Sequence, residues 1–151
     1  MITIRRTNSN DPDFIELVKG LDKELAQIDD AEHGFSAQYN KIDSIKQVVV
    51  AYIANVPVAC GAIKQIEESV AEVKRMYTLP AHRGKGIAAQ VLQELEGWAA
   101  ESGYQKCVLE TGRRQPDAVA LYQKSGYHII PNYGQYAGVD NSVCFEKRLP
   151  R

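Results

Sequence analysis

The sequence lacks the features that would assign it to a membrane or to nucleic acid. No apolar run approaches the roughly 18 to 20 residues that a membrane-spanning helix needs, and the first residues carry charges where a signal peptide has its apolar stretch. Lys plus Arg number 18 and Asp plus Glu number 19, and the net charge of −1 gives no attraction to nucleic acid or anionic lipid. The sequence therefore predicts a cytoplasmic protein with no membrane and no nucleic-acid partner.

Cysteine is scarce, and its placement indicates neither disulfides nor a metal site. The chain has three cysteines and three histidines, widely separated, with no CxxC and no HExxH motif. Each cysteine lies in an apolar or strand-like run, and an odd, scattered set is typical of buried thiols in a reducing compartment. We therefore expect free, buried cysteines and no metal cofactor.

Repeats, low-complexity tracts and linkers rich in Gly, Ser or Pro are also absent. A chain of 151 residues with 44% hydrophobic and 25% charged residues has an ordinary globular composition. That length is enough for one well-filled core and leaves little for a second independent core. We predict a single domain over residues 1–151.

Changes in hydrophobic period divide the chain into helices and strands, because strands repeat every two residues and helices every 3.6. The resulting order is β-α-α-β-β-β-α-β-α-β-β, an α/β (α+β) arrangement in which the strands between about residues 47 and 78 form an antiparallel meander. The predicted helices cover about residues 12–28, 37–45, 84–103 and 116–126, and the predicted strands begin at Ile2 and cover about residues 47–54, 56–67, 70–78, 106–111, 127–130 and 142–149.

A glycine-rich turn, within TLPAHRGKGIAAQVL, joins a strand to an amphipathic helix. Such a turn points backbone N–H groups and the positive end of the helix at an anion, and its glycines let a phosphate approach closely. One possible ligand is a dinucleotide, since Gly84, Gly86 and Ala89 match G-x-G-x-x-A. Against it, the preceding strand VAEVKRMYT is charged, and too few βαβ units remain for a parallel sheet. The other possible ligand is coenzyme A.

Two stretches of the sequence resemble the GCN5-related N-acetyltransferase (GNAT) family. Arg83, Gly86 and Ala88 match its pyrophosphate motif, Q/R-x-x-G-x-G/A, and LETGRRQPDAVALYQKSGY resembles its second motif, a strand ending in Glu followed by a helix ending in LYxKxGY. Together they cover residues 70–130, although Gln115 stands where many members carry Asn. The resemblance implies the GNAT fold: a mixed, mostly antiparallel sheet of six to seven strands with helices on both faces. It further implies an acetyl-CoA-dependent N-acetyltransferase of the bacterial small-molecule type.

The resemblance also implies which residues hold acetyl-CoA. In the family the glycine-rich turn binds the pyrophosphate, and the fourth and fifth strands part into a V whose backbone contacts the pantetheine arm and the thioester carbonyl. The expected contacts are Met76, Tyr77, Thr78, Arg83, Gly84, Lys85, Gly86, Ile87, Ala88, Gln115 and Tyr122.

Acyl transfer from a thioester to an amine requires a neutral amine and a proton for the leaving thiolate. Glu110 resembles the general base of family members that share this strand, helix and tyrosine arrangement, whereas Glu72 resembles the base of the histone-type branch, and both remain candidates. Tyr122, in LYQKSGY, falls where the family places its general acid. No cysteine lies in the two motif loops, which favours direct transfer in a ternary complex over a covalent intermediate.

The acceptor site is expected where loop residues carry aromatic and amide groups. Asn132, Tyr133 and Tyr136 in the loop PNYGQYAG suit a small polar ligand, and Phe35 after the first helix is expected on the opposite wall. Strand alternation groups residues 72, 74 and 76 on one face and 73, 75 and 77 on the other, so Arg75 could line either the helix side or the amine cleft.

The neutral net charge gives no acidic trough for a polycation, so a small primary amine, such as an amino acid or related amine, is the preferred acceptor. Two alternatives stay open: a protein or peptide N-acetyltransferase, and a regulatory module that binds acyl-CoA without turnover. A homodimer formed through the last strands, using the apolar stretch 142–145, is a further possibility.

Overall fold

The computed structural model describes residues 1–28 and 44–150, in which helices and strands follow the predicted order. The predicted helix over 37–45 lies for the most part outside the described residues. None of the helices in the described part is long and apolar enough to cross a membrane.

The helices are α1 (Pro12–Ile28), α2 (Ile87–Glu101) and α3 (Pro116–Lys124). The strands are β1 (Ile2–Thr7), β2 (Gln47–Ile53), β3 (Val56–Glu67), β4 (Val70–Thr78), β5 (Lys106–Gly112), β6 (His128–Ile130) and β7 (Ser142–Arg148).

The strands form one seven-stranded sheet in the order β1-β2-β3-β4-β5-β7-β6. Every neighbouring pair is antiparallel except β4 and β5, which are parallel because α2 crosses between them. The predicted mixed, mostly antiparallel sheet is therefore confirmed.

Helices cover both faces of this sheet, as predicted. Phe14 and Val18 of α1 pack on Val48 and Val50 of β2, and on the opposite face α2 and α3 pack in a second cluster that includes Val49. Because both faces of β2 are covered, its apolar residues form a continuous run rather than alternating with polar ones. The helix α1 begins where its pattern predicted, since the Asp11 carboxylate accepts a hydrogen bond from the first-turn N–H of Asp13 at 2.9 Å.

A β-bulge in β4 corrects the predicted alternation. The register places Gly61 of β3 opposite both Arg75 and Met76, and Arg75 adopts a φ of 61°. The extra residue turns the following side chains over, so that Met76 packs in the α2 cluster and Tyr77 in the α1 cluster. The predicted grouping of Met76 with Glu72 is therefore wrong. A Cβ on Gly61 would lie 2.5 Å from the Met76 Sδ, which explains the glycine there.

The two parallel strands separate part way along their length. Hydrogen-bonded pairing between β4 and β5 runs from Val70 with Lys106 to Val73 with Leu109. Beyond that point β4 continues beside β3 and β5 beside β7, so the strands diverge. The opening between them is the site of the cleft described below.

The end of the sheet near the C-terminus bears on the predicted homodimer. Both edges of β7 are hydrogen-bonded within the chain, to β5 and to β6, and its residues 142–145 are buried. The apolar stretch proposed as a subunit contact is thus part of the chain's own core. The strand at this edge of the sheet is β6, on which Ile129 is exposed.

All three cysteines are buried and free, as predicted. Cys60 lies in β3, Cys107 in β5 and Cys144 in β7. In the part of the chain that the structure describes, no group of three or more His, Cys, Asp or Glu side chains is placed to hold a metal ion.

Candidate active site

A cavity of about 110 Å³ opens where β4 and β5 diverge. It is bounded by α1 on one side of the sheet and by the start of α3 on the other. The predicted site residues that line it are Glu72, Arg75, Met76, Glu110, Gln115, Tyr122 and Tyr136. The residues that line the cleft therefore come from five elements, α1, β4, β5, α3 and β7, and from the loop after β6.

Glu110 lies on β5 just past the point of divergence, where its carboxylate is oriented by a neighbouring strand. The Ser142 hydroxyl donates a hydrogen bond to its Oε2 at 2.6 Å. Ser142 begins β7, two residues before Cys144, which pairs with Glu110, and it was not among the predicted site residues. The signal available in the sequence was a single small polar residue directly before the apolar residues 143–145 of this strand.

Glu72, on β4, is only 4% exposed and is enclosed by donors. The Tyr133 hydroxyl donates a hydrogen bond to its Oε2 at 2.6 Å, and the Lys74 ammonium lies 3.9 Å from its Oε1. Burial raises the pKa of Tyr133, and the negative charge of Glu72 raises it further, so this hydroxyl stays protonated.

The loop after β6 carries both predicted tyrosines to the glutamates. The rings of Tyr133 and Tyr136 meet edge to face with centroids 5.6 Å apart. Burial raises the pKa of Tyr136, as do the charges of Glu72 and Glu110, the two carboxylates with which it lines the cleft. The Asn132 amide has a different role in the structure, since it donates to the Val139 carbonyl of its own loop at 3.1 Å and to the Ser142 carbonyl at the start of β7 at 3.0 Å. These bonds tie the loop to β7.

Tyr122 reaches the cleft from α3, on the opposite side of the sheet from α1. Its ring packs against Tyr127 and Phe145 with centroid distances of 5.9 and 6.0 Å. Burial raises the pKa of Tyr122, and the nearby charge of Glu110 raises it further. The side chain is therefore a neutral hydroxyl held rigidly at the cleft.

The glycine-rich turn has the geometry of an anion site. Gly84 and Gly86 both have a φ of 78°, a conformation that L side chains rarely adopt, and no atom lies within 4 Å of the position of a Cβ at either. Gly86 is the N-cap of α2, which has no side-chain cap and no acidic residue in its first turn. Its first N–H groups and positive dipole end suit a pyrophosphate.

The side chains of the other predicted coenzyme A contacts in this turn are not all available to a ligand. The Arg83 guanidinium donates to the Thr78 carbonyl at 2.9 Å and to the Glu24 carboxylate at 2.8 Å, so it ties the turn to α1. Lys85 is exposed, whereas the side chain of Ile87 lies in the core and leaves only its backbone for a ligand.

Arg75 lies on the α1 side of the cleft. The alternation of β4 alone leaves two positions open for this side chain, the helix side or the amine cleft. Its Nη1 is 3.3 Å from the Asp22 carboxylate of α1. The bulge turns this side chain toward α1 instead of leaving it on the face of Val73, which packs in the α2 cluster. Phe35, the remaining predicted substrate contact, lies outside the described residues.

Comparison with known proteins identifies the family. Residues 13–127 match the model of the Acetyltransferase (GNAT) family. The sequence is 32% identical to the IAA acetyltransferase of Azospirillum brasilense over 98% of each chain. A crystal structure from Klebsiella pneumoniae, described as an acyl-CoA N-acyltransferase, is 30% identical and matches with a TM-score of 0.83 over 99% of this chain and 98% of that chain. In fold alone, the chain also matches the PaiA N-acetyltransferase of Thermoplasma acidophilum in complex with coenzyme A, with 18% identity and a TM-score of 0.71 over 98% and 99% of the two chains.

The chain therefore belongs to the GNAT family and is an acetyl-CoA-dependent acyltransferase. The resemblance drawn from its two motifs and the fold class are both confirmed. Of the two ligands considered for the glycine-rich turn, the family assigns coenzyme A rather than a dinucleotide.

Proposed function

We propose that this acyltransferase moves the acetyl group of acetyl-CoA to the primary amine of a small molecule, by direct attack in a ternary complex. The observation that supports this most is the cleft at the divergence of β4 and β5, where Glu110 and Tyr122 meet from different elements. No cysteine is among the described residues that line the cleft. Cys144 pairs with Glu110 in the sheet, but it is fully buried, and burial raises the pKa of its thiol. A covalent acyl-cysteine is therefore not part of the proposal.

We assign acetyl-CoA to the turn before α2 and to the side of the cleft that α3 lines, the donor side. The N–H groups at the start of α2 and the open space over Gly84 and Gly86 would hold the pyrophosphate, and Gln115 and Tyr122 line the cleft that the acetyl end of the cofactor would enter. When bound, acetyl-CoA supplies an activated acyl group whose sulfur departs as a thiol. The chain's own groups must then move two protons.

We assign the first proton to Glu110. An amine is protonated at neutral pH, so a carboxylate must accept its proton, directly or through water, before the nitrogen can attack. Glu110 lies in the cleft and Ser142 fixes its orientation. Glu72 is instead flanked by the Tyr133 hydroxyl and the Lys74 ammonium, and we assign it to holding the loop closed over the site.

We assign the second proton to Tyr122. The leaving sulfur has a thiol pKa of about 8.5 in free solution and leaves more readily if a donor protonates it. The raised pKa of Tyr122 keeps its proton available at neutral pH. Its place on the donor side of the cleft, across the sheet from α1, is where a leaving sulfur would need it.

The acceptor side supports a small amine. Tyr133 of the loop after β6 donates a hydrogen bond to Glu72, and Tyr136 of the same loop lines the cleft. The cavity of about 110 Å³ matches a compact ligand. The cations Lys74 and Arg75 line the same cleft as Glu72 and Glu110, so the cleft is not the acidic trough that a polycation such as a polyamine or a histone-like tail requires.

Release of free thiol from acetyl-CoA tests the proposal. Purified protein would be assayed against amino acids, polyamines, aminoglycosides and basic peptides, with equilibrium binding of acetyl-CoA measured alongside. We expect saturable acetyl-CoA binding and release driven by small amines. Release driven by basic peptides alone would contradict the small-molecule assignment and favour the peptide alternative.

A further inference from the structure

We infer that the acceptor carries a carboxylate beside its amine, as an amino acid does, and that Arg75 is the residue that selects it. The inference rests on the proposed function, because it describes the second substrate of the same cleft. Three observations on Arg75 and its surroundings carry it: its backbone, its burial on the acceptor side, and the charges that share the cleft.

The backbone conformation of Arg75 is one that a residue other than glycine rarely adopts inside a strand. Among the described residues, three that are not glycine have a positive φ, and two of them, Ala54 and Asn55, form the turn between β2 and β3. Arg75 is the third, and it lies inside a strand, at the bulge. A strained conformation of this kind persists only where the surroundings enforce it, and such positions cluster at functional sites, where a bulge re-aims a side chain.

The side chain of Arg75 is 1% exposed, although it carries a full positive charge and lines the cleft. Its contact with Asp22 sets it on the α1 side, away from Tyr122 and Gln115 on the donor side. Asp22 is itself 51% exposed, so water screens its charge. A carboxylate bound in the cleft would meet the same guanidinium in a less polar medium, where the attraction is stronger. The planar fork of arginine also matches a carboxylate in geometry.

The remaining charges of the cleft complete the match to an amino acid. Glu110 lies where the amine must lose a proton, and Arg75 lines the same cleft from β4. Lys74 also lines it, but its ammonium is 3.9 Å from the Glu72 carboxylate, which leaves Arg75 as the cation on the α1 side. An acceptor with one amine and one carboxylate could place its amine at Glu110 and its carboxylate at Arg75, so that each of its charges meets the opposite charge. An amine without a carboxylate makes no such contact with Arg75, and an acceptor with a second amine in place of the carboxylate would be repelled by the guanidinium.

The experiment compares α-, β- and γ-amino acids with their carboxamides, which keep the amine and the side chain and lose only the negative charge. The measured quantity is the ratio of kcat/KM for each carboxylate to that for its carboxamide, in the wild type and in Arg75→Gln. The intrinsic reactivity of the two amines cancels between the enzymes. We expect the ratio to fall roughly 10- to 100-fold in Arg75→Gln, mainly through KM, as for loss of a charge-assisted hydrogen bond.

Asp22→Asn is the matched control. It removes the same ion pair but leaves the guanidinium in place, so the ratio should stay at the wild-type value or rise. An equal fall in both variants would show that the ion pair is merely structural and would overturn the inference. Arg75→Lys keeps the charge without the fork and should give an intermediate fall, which keeps the test valid if Arg75→Gln does not fold.

Two further outcomes separate this inference from the proposed function. If the wild type acetylates only amines that lack a carboxylate, or if Arg75→Gln leaves the ratio unchanged, the inference is wrong while the proposed function stands. If no small amine of either kind drives thiol release, the proposed function fails and the inference fails with it.

Discussion

Burial determines the protonation state of the tyrosines around the cleft. Desolvation disfavours the phenolate, and the nearby carboxylate of Glu110 disfavours it further, so the pKa of Tyr122 lies above the ordinary value of about 10. A group with a raised pKa keeps its proton below that value and loses it only as the pH rises through it. Tyr122 should therefore remain a competent acid across the neutral range, and any loss of turnover from its ionisation should begin above about pH 10.

Replacing Tyr122 with Phe removes the proton and keeps the ring that packs on Phe145. We expect kcat to fall by about 10² to 10⁴, with the Kd for coenzyme A nearly unchanged. The control is Tyr127→Phe, since that hydroxyl donates to Glu96 at 2.9 Å in the core and does not line the cleft. It should cost about 1 kcal/mol or more of stability and leave kcat close to the wild type. An unchanged kcat in Tyr122→Phe would remove this tyrosine from the mechanism.

The two glutamates can be distinguished by the same kind of comparison. Glu110→Gln removes the proposed base and should lower kcat by about 10² to 10⁴ near neutral pH. Glu72→Gln keeps the shape of the partner of Tyr133, so its expected loss in kcat is below about tenfold. Steady-state rates over a range of pH check both. The reverse ranking would assign the base to Glu72.

At the scale of the elements, periodicity predicted the helices and strands closely because each one alternates or repeats along its own length. The bounds of β3, β4 and α1 agree with those expected, and both turns with glycine at a helix end fall where predicted. The bulge at Arg75 could not be predicted in this way. It arises between two strands, from a mismatch with Gly61, and no pattern within β4 marks it.

The N-cap of α2 is Gly86, whose positive φ favours glycine, and a matched pair of glycine substitutions can test this requirement. Gly86→Ala forces a side chain into φ 78°, and it should cost about 1 to 2 kcal/mol of stability and raise the Kd for coenzyme A. Gly97→Ala lies in the same helix, at an exposed position with no atom within 4 Å and no positive φ. It should stabilise the protein by about 0.5 to 1 kcal/mol and leave coenzyme A binding unchanged. Thermal unfolding and a binding titration measure both effects, and equal effects of the two variants would contradict the argument.

At the scale of the whole molecule, the cleft forms because the strand order brings together residues that are far apart in the sequence. Tyr133 bonds a carboxylate 61 positions away in the chain, and Ser142 one that is 32 positions away. The sequence supplied the glutamates and the tyrosines as separate candidates. Their pairing could not be read from it, because the pairing depends on how α3 and the loop after β6 pack around the divergence of β4 and β5.

The three buried cysteines provide a test of whether the chain folds as one unit. Burial raises the pKa of Cys60 to about 12 and that of Cys107 to about 12, and it also raises the pKa of Cys144. A raised pKa keeps each thiol neutral at pH 7 to 8, and the thiolate is the species that reacts with a maleimide. In the native protein we expect labelling at least about 10³-fold slower than in denaturant.

The order in which the cysteines become reactive then tests the predicted single domain. Cys60 belongs to the core cluster under α1, and Cys107 to the cluster on the opposite face. Both clusters include residues of β2, β3 and β4, so we expect loss of packing on one face to disrupt the other. Mass spectrometry after labelling in rising urea should therefore show all three cysteines reacting at one midpoint. Earlier labelling of Cys60 alone would mean that α1 detaches while the rest of the sheet remains folded.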